Sequence, residues 1–415
     1  MLLFSEAFDF DLIPDLWSLS GNHTLNPSVG RTGGSLFGAD TQGTSSTATL
    51  SLRDFVAPAF SESAHICLGF ATKRFKTSTA GEGPTNTVDF VSFLDSYGNV
   101  FLQVKTYKVI GKTEFGFAVL NGSGVLLGRY ELAESVIAGA TTVTNPSFFY
   151  HTDPFDSAQT PWVYFEFSLN FTTNEFKLYI DNKQVSTINN TAAFAFFSGT
   201  APELDKFALR SHFYTDGVTP IYGSVVESPQ QFDDLYVTDT ESEERNPTAI
   251  SYVGGPVGAL RVYSTRARAT TLYNNWTVEG SVSADAALSD VDTTNIHKSS
   301  DWLAEITTRV NAPATLNAGE KLGAVQLIYS AKSLSSRSAA LIPILHTVDG
   351  QGNAEYARGS VYNRTIVGNS GYKFYSHTFQ KNPTTNALFD ASDFSLTSDA
   401  NRVGLVLLDT PAHVS

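Results

Sequence analysis

Apolar and polar positions alternate most regularly along the stretch that begins at Trp162. From position 163 to position 171 the alternating apolar set is Val163, Phe165, Phe167, Leu169 and Phe171. The set between them is Tyr164, Glu166, Ser168 and Asn170. A period of two predicts a β-strand with one buried face and one face in water.

Two more strands follow this one in the sequence. Short polar turns at 172–174 and 181–182 separate it from runs at 175–180 and 184–188. Turn residues between alternating runs predict β-hairpins. The whole stretch is therefore predicted to be a three-stranded meander, and its aromatic face requires a second sheet to cover it.

The same pattern recurs through the first part of the chain. Further strands are predicted at 47–55, 65–73, 88–94, 100–109, 114–120, 125–130, 207–214 and 231–238. With the meander and a short N-terminal run, this part holds about a dozen strands, a number suited to two packed sheets.

A change of composition divides the chain. Residues 241–256 carry a run of charge, then a proline and a Gly-Gly-Pro, as domain linkers often do. Beyond it the predicted strands are 260–264, 276–282, 304–311, 323–330, 339–348, 354–362, 372–379 and 402–408. The predicted fold is all-β, with two β-sandwich (jelly-roll) domains in tandem, at residues 1–240 and 257–415.

Charge is distributed unevenly between the two parts. Residues 1–245 hold 14 Lys+Arg against 28 Asp+Glu, and residues 246–415 hold 13 against 13. This imbalance argues against nucleic acid as a partner of the first part. No apolar run is long enough to cross a bilayer, so membrane insertion is not expected. Cys67 is the only cysteine, and its apolar neighbours predict a small core residue.

Three phrases in the first part resemble a known fold. They are Trp162–Glu166, Phe176–Asn182 and the closing Phe232–Val237, which contains Asp-Asp-Leu-Tyr-Val. Together they resemble the concanavalin A-like lectin/glucanase jelly roll of the laminin-G-like kind. The resemblance covers roughly residues 1–240 and implies a lectin-like sandwich.

The second part resembles a domain of tailed-bacteriophage virion proteins. The resembling phrases are Asn275–Thr277, Ala287–Ile296, and Asn382–Thr385 followed by Phe389–Phe394, with Phe389 where a tryptophan is usual. The resemblance implies a structural component of a virion, from the tail, a tail fibre or the capsid surface, acting in assembly and host-surface attachment. It also implies other virion proteins as partners, location in the virion and a homo-oligomer, for which a trimer is favoured. A lectin-type glycan-binding receptor protein is the alternative.

Catalysis is not expected from the carboxylates. Jelly-roll glucanases place acid and nucleophile along one strand as Glu-x-Asp-x-x-Glu, a spacing that does not occur in this sequence. Glu166 is the only acidic residue in the middle of its strand, and the adjacent Asp233 and Asp234 are predicted to point to opposite faces. The chain is therefore predicted not to be an enzyme, and a polysaccharide-degrading activity is the third alternative.

Calcium is the metal for which the sequence offers candidates, and no other cofactor is expected. Lectin-like sandwiches hold Ca²⁺ with loop carboxylates and carbonyls. Asp153 and Asp156 form one candidate pair, and Asp290 and Asp292 form another. Short loops of this kind also serve as solvated turn caps.

The long loop at 145–162 is the candidate site for a host glycan. It contains Phe149, Tyr150, His151 and Trp162. Sugar rings stack on aromatic faces while neighbouring polar groups orient them. The alternative is that these rings cap the core or contact a partner subunit.

Overall fold

The computed structural model describes residues 2–8, 16–26, 30–31, 34–38, 44–51, 65–73, 87–108, 115–131, 162–171, 173, 175–180, 183–188, 204–213, 230–239, 262, 277–279, 296–298, 305–309, 322–332, 339–348, 354–358, 364–366, 373–382, 385–390, 393 and 402–409. Every secondary-structure element in these residues is a β-strand. The predicted all-β class is therefore confirmed. None of the described residues forms a helix that is long and apolar enough to cross a membrane.

The chain separates into two compact units. The N-terminal unit contains Ser5–Thr240 and Tyr252–Val262, and the C-terminal unit contains Met1–Phe4, Glu241–Ser251 and Tyr263–Ser415. The predicted linker at 241–256 lies outside the described residues, so the domain boundaries given above stay a prediction.

Fifteen described strands lie before residue 240. They are β1 (Leu2–Glu6), β2 (Trp17–Ser20), β3 (Thr24–Asn26), β4 (Ser35–Phe37), β5 (Thr44–Ser51), β6 (His65–Lys73), β7 (Val88–Leu94), β8 (Val100–Lys108), β9 (Phe115–Asn121), β10 (Leu126–Glu131), β11 (Val163–Asn170), β12 (Glu175–Ile180), β13 (Lys183–Ile188), β14 (Lys206–Phe213) and β15 (Gln231–Asp239). Strands β6 and β7 have the bounds that alternation predicts.

Two large antiparallel sheets form the N-terminal unit. Sheet A has the order β13-β12-β11-β6-β15-β4-β3, and sheet B has the order β10-β9-β8-β7-β14-β5-β2. The pairs β11–β12 and β12–β13 confirm the predicted meander. Its third strand continues the sheet away from β6, which pairs with the other edge of β11.

The core between the sheets is aromatic. Phe165 on β11 lies with its ring centroid 5.2 Å from that of Phe90 on β7 and 5.6 Å from that of Phe117 on β9. Phe70 on β6 packs 5.6 Å from Phe90 and 5.8 Å from Phe167. Mostly edge-to-face and tilted contacts of this kind add to the stabilisation that burial itself gives. The aromatic face of the predicted meander is thus covered by sheet B.

The polar face of β11 is also buried, and here the prediction of a face in water is wrong. Tyr164, Glu166 and Ser168 are no more than 2% exposed. Each of the three residues makes a hydrogen bond within the protein. Tyr164 Oη donates to the main-chain oxygen of Asp234 at 2.9 Å, Tyr236 Oη donates to Glu166 Oε1, and Ser168 Oγ lies 2.6 Å from His65 Nε2. A buried polar layer is stable when its groups are hydrogen-bonded.

Two tight turns lie side by side at one end of sheet B. Asp95 Oδ1 accepts hydrogen bonds from the main-chain nitrogens of Tyr97 and Asn99 in the β7–β8 turn. In the β9–β10 turn, a Cβ added to Gly122 would lie 2.2 Å from the main-chain oxygen of Val100. The close backbone approach therefore requires glycine at that position.

Nine described strands follow residue 240. They are β16 (Thr277–Glu279), β17 (Ile296–Lys298), β18 (Glu305–Arg309), β19 (Val325–Ala331), β20 (Ala339–Val348), β21 (Ala354–Arg358), β22 (Arg364–Ile366), β23 (Lys373–Phe379) and β24 (Arg402–Asp409). One sheet has the order β18-β24-β20-β21 with β22 also beside β20, and β19 pairs with β23. Strands β16 and β17 form a separate pair.

Side chains from the two larger C-terminal sheets meet in small clusters. Leu345 on β20 packs with Phe379 on β23 and with Phe389, and Leu341 on β20 packs with Tyr375 on β23. These contacts make the C-terminal unit a second β-sandwich, which confirms the predicted tandem of sandwich folds. Phe389 is 4% exposed and belongs to this core.

Candidate functional site

A row of residues crosses sheet B on the face turned away from the aromatic core. Strand register places Arg129, Ala118, Lys105 and Asp89 opposite one another on β10, β9, β8 and β7. In the other half of the sheet, on the same face, register places Arg210, Thr47 and Ser20 opposite one another on β14, β5 and β2. An ion pair between Asp89 and Arg210 joins the two halves. These seven residues are called the charged row below.

Asp89 lies between two cations at the centre of the charged row. Lys105 Nζ is 2.8 Å from Asp89 Oδ1, and Arg210 Nη1 is 3.4 Å from Asp89 Oδ2. The side chain of Lys105 is 24% exposed, that of Arg210 is 29% exposed and that of Asp89 is 24% exposed. Ion pairs that remain in contact with water contribute only about 0–1 kcal/mol each to stability. Their arrangement can therefore change when a ligand binds without a large cost to the fold.

A second row runs beside the charged row on the same face. Register aligns Leu120, Gln103, Ser92, Ala208, Thr49 and Ser18 on β9, β8, β7, β14, β5 and β2. Ser92 and Ala208 are buried, and Gln103 Nε2 donates to Ser92 Oγ at 3.4 Å. Most side chains of this neutral row are small, and they lie beside the longer side chains of the charged row. Amide and hydroxyl groups in such a setting can both donate and accept hydrogen bonds.

The corresponding face of sheet A is closed. Cys67 Sγ lies 3.8 Å from Tyr236 Oη, and the Tyr236 ring stacks on that of Tyr164 with centroids 6.3 Å apart. Burial is the largest cause that raises the pKa of Tyr164, Tyr236 and Cys67 above their usual values, and the neighbouring Glu166 raises each further. The two phenols and the thiol are therefore held in their neutral forms at neutral pH, so this face offers structure rather than reactive chemistry.

Cys67 and His65 share that face without forming a catalytic pair. His65 Nε2 lies 2.6 Å from Ser168 Oγ. Burial lowers the pKa of His65, and the nearby Lys177 lowers it further. The prediction that Cys67 is a small core residue is confirmed, since it is 4% exposed and its thiol is protonated.

A β-bulge organises the two adjacent aspartates. The register between β15 and β6 shifts between Asp233 and Tyr236, and Asp234 has a φ of 50°. Both carboxylates reach the same residue: Asp233 Oδ2 accepts from the main-chain nitrogen of Arg31, and Asp234 Oδ2 accepts from its Nη1. The prediction from alternation that they lie on opposite faces is wrong because the bulge interrupts the alternation.

Asp234 also holds a distant segment of the chain. Its Oδ1 accepts a hydrogen bond of 2.7 Å from the main-chain nitrogen of Val262, which belongs to the same compact unit. Asp233 and Asp234 are both fully buried. Their bonds are therefore structural, and the two residues are not candidates for binding a ligand.

The glycan and metal residues predicted from the sequence fall almost entirely outside the described part of the chain. This holds for Phe149, Tyr150, His151, Asp153, Asp156, Asp290 and Asp292. Trp162 is described, and it lies half-buried immediately before β11. Their proposed roles remain predictions. Among the described residues, no three His, Cys, Asp or Glu side chains are grouped as metal ligands.

Sequence reasoning did not find the charged row. Apart from Ala118, each member is a charged or hydroxyl residue within a predicted or observed strand, which is the available signal. The row depends on β7 pairing with β14, two strands that are more than a hundred positions apart in the sequence. Alternation assigns a residue to a face but does not give the neighbour of a strand when the connection is not a hairpin.

Neither protein-family models nor curated proteins give a match to the chain. Solved structures do match. The legume lectin-like domain from Entamoeba histolytica is 9% identical, with a TM-score of 0.32, over 55% of this chain and 91% of that one. The apo Crh5 transglycosylase is 11% identical, with a TM-score of 0.34, over 57% and 84%. A sialidase is 9% identical, with a TM-score of 0.32, over 59% of this chain and only 19% of its own length.

These similarities concern the fold alone. They correct one prediction, however, because the matched structures are named both as a lectin-like domain and as enzymes, a transglycosylase and a sialidase. The prediction that the chain is not an enzyme is therefore wrong: a fold shared by lectins and glycosidases does not support it. What the structure itself establishes is a β-sandwich of two large antiparallel sheets in the N-terminal unit.

Proposed function

We propose that the chain binds a saccharide on the outer face of sheet B, as a component of a tailed-bacteriophage virion that attaches to the host surface. The observation that carries this proposal is the charged row, with Lys105, Asp89 and Arg210 about a quarter exposed on a face turned away from the core. The corresponding face of sheet A is buried and closed by its own hydrogen bonds.

The chemistry of the outer face of sheet B suits a saccharide. Sugar hydroxyls both donate and accept, and they are recognised by charged, amide and hydroxyl side chains whose geometry is fixed. The face offers all three kinds, in Arg210, Gln103 and Thr49. They project from paired strands of one sheet, which are more rigid supports than loops.

The virion part of the proposal is supported by phrases in the second part of the chain that resemble those of tailed-bacteriophage virion proteins. A lectin-like module joined to such a domain fits a tail, tail-fibre or capsid-surface protein. Partners are then other virion proteins, and a homotrimer is proposed. Antibody labelling of purified particles in electron micrographs tests the location, and light scattering of the full chain tests for three copies.

The aromatic loop and the aspartate loops extend the proposal. Phe149, Tyr150, His151 and Trp162 are proposed to add stacking contacts to the glycan. Calcium is proposed at Asp153 and Asp156, or at Asp290 and Asp292. Comparison of glycan binding with calcium present and after chelation tests whether an ion supports these loops.

A glycan array probed with the full chain tests saccharide binding itself. We expect binding to a subset of glycans, and a Gln103→Ala/Thr49→Ala variant is expected to lose at least tenfold in affinity. Lys177→Gln, on sheet A, is the matched control and should bind like the parent chain. Absence of binding to every glycan, or binding that the double variant leaves unchanged, would overturn the proposal.

A further inference from the structure

The composition of the charged row indicates which saccharides the face accepts. The described side chains in it include three cations, Arg129, Lys105 and Arg210, and one carboxylate, Asp89. We propose that the ligand is an acidic saccharide that carries carboxylate groups. This inference rests on the proposed function and narrows it to one chemical class.

The net charge of the row is positive, whereas that of the surrounding sequence is negative. Residues 1–245 contain twice as many acidic as basic residues, 28 against 14. Three of those 14 basic residues lie in one row across one sheet face. In a strongly acidic unit, such a row is a part of the surface that an acidic polymer can approach without net repulsion.

The central cations have donors left for a ligand. Arg210 reaches Asp89 through Nη1 alone, at 3.4 Å, and 29% of its side chain is exposed. A guanidinium has five N–H donors and matches a carboxylate in a two-bond geometry. Lys105 lies two strands away, at about 10 Å from strand spacing alone, so one sugar unit can contact both.

The neutral residues beside the cations complete the specificity. Thr47 lies opposite Arg210, and Thr49 lies opposite Ala208 in the neighbouring row. A uronic or sialic acid unit carries one carboxylate among several hydroxyls. The cations would bind the carboxylate while hydroxyl and amide groups bind the rest, which separates a carboxylated sugar from a bare polyanion.

The test is an array that carries polygalacturonate, alginate, hyaluronan and polysialic acid beside neutral dextran, amylose and laminarin, with dextran sulfate as a polyanion without carboxylates. We expect the full chain to bind at least one carboxylated glycan at least tenfold more tightly than any neutral one and more tightly than dextran sulfate. Raising the salt concentration should weaken that binding.

Two variants connect the binding to the row. Lys105→Gln/Arg210→Gln is expected to lose at least tenfold in affinity for the carboxylated glycan, with an unchanged melting midpoint. Asp89→Asn removes the competing carboxylate, so it should bind the acidic glycan more tightly than the parent chain. Lys177→Gln again serves as the control on sheet A.

The outcomes separate this inference from the proposed function. Binding to neutral glycans alone, lost in Gln103→Ala/Thr49→Ala, would keep the proposed function and overturn the acidic ligand. Equal or tighter binding to dextran sulfate, or a loss in Asp89→Asn as large as that in the double charge variant, would also overturn it. No binding to any glycan would overturn both.

Discussion

The guanidinium of Arg31 lies against the buried carboxylate of Asp234, with Nη1 2.9 Å from Oδ2, although 203 positions separate the two residues. The same guanidinium lies 5.3 Å from the ring centre of Tyr164. The pair fastens the segment between β3 and β4 to the bulge in β15. The Asp234 side chain is fully buried, whereas the Arg31 side chain is 19% exposed and can also contact water. Loss of the pair is therefore more costly for the aspartate than for the arginine.

Replacing Arg31 should destabilise the N-terminal unit strongly. Arg31→Met removes the guanidinium from the buried Asp234 carboxylate, and breaking a buried pair in this way typically costs about 3–5 kcal/mol. We expect the full chain to unfold at a lower concentration of guanidinium chloride, as followed by fluorescence. Lys177→Met breaks a pair with Glu175 whose members are about a quarter exposed, and it should cost at most about 1 kcal/mol. Equal losses in the two variants would contradict the assignment.

Alternation predicted the strands of this chain well because burial on one face gives a strong signal in the sequence. Strand β20 has the predicted bounds, Ala339–Val348. Its Pro343 is accommodated because β22 pairs with residues 339–341 and β21 with residues 344–348, so no strand among the described residues pairs with Pro343 on that edge. A proline inside a strand is tolerated where no ladder bond is needed.

Two features could not be read from the sequence for physical reasons. Glu166 occupies a polar position that alternation assigns to water, but Tyr236, seventy positions away, supplies a hydrogen bond that allows its burial. The charged row forms because β7 and β14 are neighbours in sheet B. Both depend on contacts between distant strands, whereas local patterns report only the face of each residue.

Gly69 should tolerate no side chain. A Cβ added there would lie 2.1 Å from Cε1 of the Tyr236 ring, which is itself fully buried. Gly69→Ala must displace that ring and its bond to Glu166, and overpacking of this kind costs about 1–3 kcal/mol. The fall in the thermal unfolding midpoint measures this loss of stability. Gly323→Ala, with nothing within 4 Å of the added Cβ, is the control, and a similar fall there would contradict the packing argument.

Cys67 should be chemically inert in the folded protein. Burial, followed by the neighbouring Glu166, raises the pKa of its thiol far above the usual value, so the reactive thiolate is scarce at about pH 8. We expect a thiol reagent such as dithionitrobenzoate to label the single cysteine only after denaturation. Rapid labelling of the native chain would show that the face of sheet A is open.

His23 should make the protein sensitive to mild acid. Burial lowers its pKa from 6.5 to about 4, and neither ring nitrogen has a hydrogen-bond partner among the described residues. The unfolded chain therefore binds more protons between these values, so the stabilising contribution is complete above about pH 6.5 and is lost as the pH falls toward 4. We expect the thermal midpoint of His23→Gln to fall less than that of the parent chain between pH 7 and pH 5. Equal falls would contradict the assignment.

Phe389 should carry much of the core of the C-terminal unit. It is 4% exposed and packs with Leu345 and Phe379, whereas its neighbour Leu388 is 57% exposed. Phe389→Ala leaves a cavity, which typically costs about 3–5 kcal/mol, and Leu388→Ala removes only exposed surface. The free energies of unfolding of the two variants, measured with a chemical denaturant, should therefore differ by several kcal/mol, although the two positions are adjacent in the sequence. Phe389→Trp tests the available space: a loss of only about 1–3 kcal/mol in the free energy of unfolding would show that the core can adapt to the larger ring. A loss as large as that of Phe389→Ala would show a cavity shaped for phenylalanine alone.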